Sequence, residues 1–131
     1  MEERIWHKSY TEGVPWSIDY DELTVSGGLA RSAKEFPNQV ALNYMGRKIT
    51  YSELDDLVNR FARALLALGV KKGDKVAMIL PNIPQFIIAE YAAFRIGAVS
   101  VMNNPLYTEH ELTHQLKDSD SSVMVLSLIH I

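Results

Sequence analysis

Lys75-Val76-Ala77-Met78-Ile79-Leu80, then Ala98-Val99-Ser100-Val101-Met102, then Ser122-Val123-Met124-Val125-Leu126 are three short apolar runs. Each has the length and branched-residue content of a strand covered on both faces, as in a parallel sheet. Gln85 to Ile96 lies between the first and second runs. It is apolar nearly all round, so it predicts a helix buried between layers. A second helix, from Thr108 to about Lys117, separates the second run from the third, and Asp118 to Ser121 turns into that strand. Strand, helix, strand, helix, strand with short loops predicts right-handed crossovers and a mainly parallel, doubly wound α/β sheet. The sheet is incomplete, with three strands only.

Upstream, Thr50 stands three residues before Glu53, the spacing of a capping box. Leu54, Leu57, Val58, Phe61, Leu65 and Leu68 follow at helical spacing, and Gly69 sits where a left-handed C-terminal cap belongs. Lys71-Lys72-Gly73-Asp74 is a turn. Val40 to Tyr44 and Lys48 to Thr50 read as a small hairpin around Met45-Gly46-Arg47. Thr24 to Phe36 reads as the first helix, with Leu29, Ala30, Ala33 and Phe36 on one face and Pro37-Asn38 ending it. Thr108 and Glu111 repeat the capping-box spacing. Residues 1–22 lack periodicity and carry Trp6, Tyr10, Trp16 and Tyr20 among turn formers. They are expected to form an extended arm that lays its aromatics on a neighbouring surface, of its own subunit or of a partner, which leaves room for a homodimer.

The chain has 131 residues, 47% of them hydrophobic and 22% charged, with a formal net charge of -3. Basic and acidic residues are interspersed and no basic stripe exists, so nucleic-acid binding has no electrostatic support. The absence of cysteine excludes disulfides, thiolate catalysis and cysteine-ligated metals in these residues. Met1-Glu2-Glu3-Arg4 opens no secretory signal. The longest apolar stretch, Phe86 to Ile96, is too short to span a bilayer. The expectation is a cytoplasmic protein.

His110-Glu111-Leu112-Thr113-His114 matches H-E-x-x-H, in which two histidines one turn apart bind zinc and the glutamate acts as general base. A zinc-dependent hydrolase is therefore a competing reading. It is disfavoured because Glu111 already serves the Thr108 capping box. The only third ligands downstream are Asp118, Asp120 and His130, the two aspartates lying in the turn after the helix, and Gln115-Leu116-Lys117-Asp118 does not continue the longer zinc motif. The histidines are expected on a solvated helix face. Gly69-Val70-Lys71-Lys72-Gly73 lacks the G-K-[ST] ending of a phosphate loop, and no G-x-G-x-x-G occurs. Asp55-Asp56 and Asp118/Asp120 are read as solvated surface carboxylates.

In order along the chain, several blocks resemble the AMP-forming acyl-CoA synthetases of the adenylate-forming ligase superfamily. Ile49-Thr50-Tyr51-Ser52-Glu53-Leu54 resembles the T-Y-x-E-L helix start. Gly69 to Asn82 resembles G-V-x-K-G-D-x-V-A-x-x-x-P-N. Arg95-Ile96-Gly97-Ala98-Val99 with Asn104-Pro105-Leu106-Tyr107-Thr108 resembles R-x-G-A-V-x-x-x-x-N-P-L-Y-T. Glu111-Leu112 and His114 to Ser119 are similar to the E-L-x-H-Q-L-x-D-S pattern of the fatty-acid branch, and Trp6 with Val14-Pro15 looks like the long-chain ligases. The likeness covers residues 4 to 125, and Glu111 and His114 belong to it.

The resemblance implies an enzyme that activates a fatty acid with ATP to acyl-AMP and transfers the acyl group to coenzyme A, with magnesium. Medium-chain and aryl-acid ligases share these blocks. Residues 23–125 would be the N-terminal part of the large domain, and the phosphate loop, nucleotide motifs and C-terminal lysine would lie beyond Val125. No catalytic, cofactor-binding or metal residue carries over, and the 131 residues are expected to be inactive alone. Peripheral membrane association is compatible with the fatty-acid reading. Asn103 to Tyr107, just past a strand end, is expected chiefly to form a turn, with cavity lining as the alternative. Leu126-Ser127-Leu128-Ile129-His130-Ile131 departs from the pattern and equals the in-frame translation of a transposon-type adapter, CTG TCT CTT ATA CAC ATC. Residues 126–131 are therefore expected to be a non-native tail, so that the parent sequence diverges near Leu126. A stand-alone interaction module would require the opposite.

Overall fold

The computed structural model describes residues 4–127; of the expected tail, residues 128–131 lie outside the described residues. In chain order the elements are a short 3-10 helix at Ile5–Ser9, α1 (Val25–Glu35), β1 (Val40–Tyr44), β2 (Arg47–Thr50), α2 (Tyr51–Ala67), β3 (Lys75–Ile79), α3 (Pro84–Arg95), β4 (Val99–Met102), α4 (Glu109–Ser119) and β5 (Val123–Leu126).

Local chemistry sets the ends of these elements. The Thr50 hydroxyl accepts from the Glu53 N–H at 3.3 Å, and the Glu53 carboxylate accepts from the Thr50 N–H at 2.8 Å. Two orphan donors at the start of α2 are thereby satisfied. Thr108 and Glu111 do the same for α4, and the Thr24 hydroxyl caps α1 by accepting from Gly27 N–H at 3.0 Å. Gly69 closes α2 at φ +90°, a left-handed conformation that a side chain would strain. The hairpin pairs Tyr44 with Arg47. Its loop is therefore Met45-Gly46 alone, both at positive φ, the two-residue turn whose twist suits a hairpin. Arg47 belongs to the strand, not to the turn.

β3, β4 and β5 form one parallel sheet in the order β4-β3-β5, with Val76 level with both Ser100 and Val123. Side chains alternate, so Val76, Met78 and Leu80 face one way and Ala77 and Ile79 the other. The first set joins Leu29, Leu54, Val58, Ala62, Leu65, Ala89, Ala92 and Ala93 in a core shared with α1, α2 and α3. Right-handed crossovers put α3 and α4 on opposite faces, and α4 turns a half-buried stripe of Leu112, Gln115, Leu116 and Ser119 inward.

Three expectations need correction. Only β3 is buried along its length; Val99 and Met102 of β4 are 48% and 62% exposed, because β4 and β5 are the sheet's two edges. On α1 the inward side is Ser26 and Leu29, while Ala30 and Phe36 are exposed. The N-terminal arm is not extended throughout. It begins in a 3-10 turn, and its aromatics meet one another: His7 stacks on Trp16 at 4.6 Å, and the Arg4 guanidinium lies 5.1 Å from the Trp6 ring centre.

Candidate functional site

In open α/β sheets ligands bind beyond the carboxyl ends of strands, between neighbours whose connections leave to opposite faces. β3 and β4 meet that condition, since α3 follows one and α4 the other. The loops there are Leu80 to Ile83 and Asn103 to Tyr107. The second is strongly built. Asn103 N–H donates to the Met78 carbonyl at 2.9 Å, which extends the β3–β4 ladder past the strand. The Asn103 amide nitrogen donates to the Val101 carbonyl at 2.9 Å. Asn104 Oδ1 accepts from Leu106 N–H at 3.0 Å, an Asx turn. Asn103 is only 6% exposed. Its Oδ1, like Ser100 Oγ, is buried with no hydrogen-bond partner among the described residues. The turn-forming role expected for this loop is present.

A groove of about 640 Å³ opens nearby, between α2, the start of α3 and the ends of β3 and β5. Its walls are mostly apolar, with Leu57, Phe61, Leu80, Ile83, Ile88 and Val125 prominent and Arg60 among the lining residues. A smaller cavity of about 260 Å³ separates the hairpin from Pro84, Phe86 and Ile87. Neither brings carboxylates, histidines or a nucleophile together.

His110 and His114 are exposed. The Glu111 carboxylate is held by Thr108, accepting from its N–H at 2.8 Å and its hydroxyl at 2.7 Å. Those bonds, the backbone one first, lower its pKa. A carboxylate engaged in this way serves the helix start and not a zinc-bound water.

The strongest polar cluster is one the sequence reading passed over. Arg95 spans three helices. Its guanidinium donates to Asp55 Oδ1 at 2.8 Å, Asn59 Oδ1 at 2.6 Å and Ser26 Oγ at 3.0 Å. Asp55 is therefore ion-paired and largely buried, not a solvated carboxylate as expected; Asp56 keeps the surface role, 3.9 Å from Arg60. Asp120 is solvated as expected, at 94% exposure, and lies 3.9 Å from Lys75. The available signal was a cation at the end of a mostly apolar helix, which needs a partner. Glu90 is the other buried charge of α3. Burial raises its pKa, and among the described residues its carboxylate has no ion-pair or hydrogen-bond partner.

The profile described as "AMP-binding enzyme" matches residues 29–130. The chain belongs to the AMP-binding enzyme family. A long-chain-fatty-acid–CoA ligase of Bacillus subtilis is 37% identical over 120 residues, covering 92% of this chain and 21% of that protein. One from Yersinia pestis is 37% identical over 126 residues, covering 95% and 22%. The chain thus spans about a fifth of the length of these relatives. Among solved structures, an artificially fused adenylation–PCP di-domain from Klebsiella oxytoca superposes with a TM-score of 0.80 at 28% identity, over 86% of this chain and 21% of that one. O-succinylbenzoate coenzyme A synthetase from Bacillus subtilis, in complex with AMP, gives 0.74 at 33% identity over 77% and 26%. Arg95 and Gly97 of the R-x-G-A-V block each have a structural setting in this chain. Arg95 ties the helices, and Gly97, at φ +73°, leaves a Cβ no room beside Lys72 Cγ at 2.9 Å.

Proposed function

We propose that this chain is the N-terminal part of an AMP-forming ligase that activates a long-chain fatty acid with ATP and passes the acyl group from acyl-AMP to coenzyme A. The observation that carries the reading is a match running in register over 92% of the chain at 37% identity to a ligase of that name. Likeness to an aryl-acid enzyme, the O-succinylbenzoate synthetase, favours a second reading in which the acid is aromatic. The residues described here share their blocks with both classes, and nothing in the groove walls selects between them.

The role of this segment is scaffolding. It builds the carboxyl edge of the sheet at β3 and β4 and fixes the loops there, while the reacting atoms are handled by parts of the parent outside it. Among the described residues no group of three His, Cys, Asp or Glu converges, and no glycine-rich loop follows a strand. No magnesium or nucleotide-phosphate ligand is assigned to these residues, and no step of the reaction is assigned to them. No helix among the described residues is long and apolar enough to cross a membrane. A cytoplasmic enzyme that meets its substrate at the membrane surface suits the proposed chemistry.

The test is the product of the complete parent gene, assayed for ATP-dependent thioester formation against long-chain, medium-chain and aryl acids. The expected result is a preference of at least about tenfold in kcat/KM for long-chain over aryl acids, the size of discrimination an apolar tunnel readily gives. A preference for benzoate-type acids would replace this reading by the aryl one. Hydrolysis without acid-dependent release of AMP would overturn both.

A further inference from the structure

We draw no further inference here: the strongest candidate, the apolar groove of about 640 Å³ between α2, the start of α3 and the ends of β3 and β5, carries nothing because the chain spans about a fifth of its relatives' length and nothing in the structure shows what covers it.

Discussion

A single guanidinium holds three helices in place. Arg95 reaches Ser26 on α1 and Asp55 and Asn59 on α2 from the last turn of α3. Its side chain is 19% exposed and that of Asp55 is 23%, so the pair is shielded from water and the loss of one partner strands the other. Removing one member of a buried pair commonly costs about 3 kcal/mol or more. Arg95→Met is accordingly expected to destabilise the chain by about 3 kcal/mol in a urea titration. Arg95→Lys should recover only part of that, because an ammonium cannot reach three acceptors in the fork geometry of guanidinium. Asp55→Asn on top of Arg95→Met should cost less than the two single changes added together. Full additivity would mean that the two groups do not act as a unit.

At the scale of elements, the helix starts are the best-determined features, and α4 depends on its start most. It has no buried residue, so its packing contribution is small and the Thr108–Glu111 pair does much to hold its first turn. Thr108→Ala is expected to cost about 1 kcal/mol and to raise amide exchange in the first turn of α4. Zinc should give no saturable binding, and His110→Ala and His114→Ala should change nothing. Stoichiometric zinc uptake lost with either histidine would revive the hydrolase reading. Such helices were legible in the residues because capping and periodicity are local: Thr50 with Glu53, Thr108 with Glu111 and Gly69 lie within a turn of what they control. Arg95's need for a partner was legible, but its partners Ser26, Asp55 and Asn59 were not, since they lie far away in sequence. The same limit hid the exposure of β4. A run such as Val99 to Met102 has one composition whether it lies at the centre of a sheet or at its edge, and only the order β4-β3-β5 decides which.

For the molecule as a whole, stability against pH is set by carboxyls shifted in opposite directions. Glu53 and Glu111 are lowered by the hydrogen bonds, backbone first, from Thr50 and Thr108. The stabilisation they give is present above the ordinary carboxylate pKa and is lost as pH falls through their depressed values. Glu90 behaves the other way. Burial raises its pKa, so the folded chain holds that proton more tightly than the unfolded one. Between the ordinary and the raised value, stability therefore falls as pH rises, because the native state binds more protons than the unfolded state across that window. The three groups together predict a stability maximum near the ordinary carboxylate range, with a decline on both sides. Glu90→Gln keeps the shape and removes the charge. It is expected to raise stability at neutral pH and to flatten the decline above the ordinary carboxylate range. The acid-side loss, which belongs to Glu53 and Glu111, should remain. Thermal melts at closely spaced pH values would show this, and an unchanged alkaline slope in Glu90→Gln would mean that the α3 carboxyl is hydrated in the folded chain.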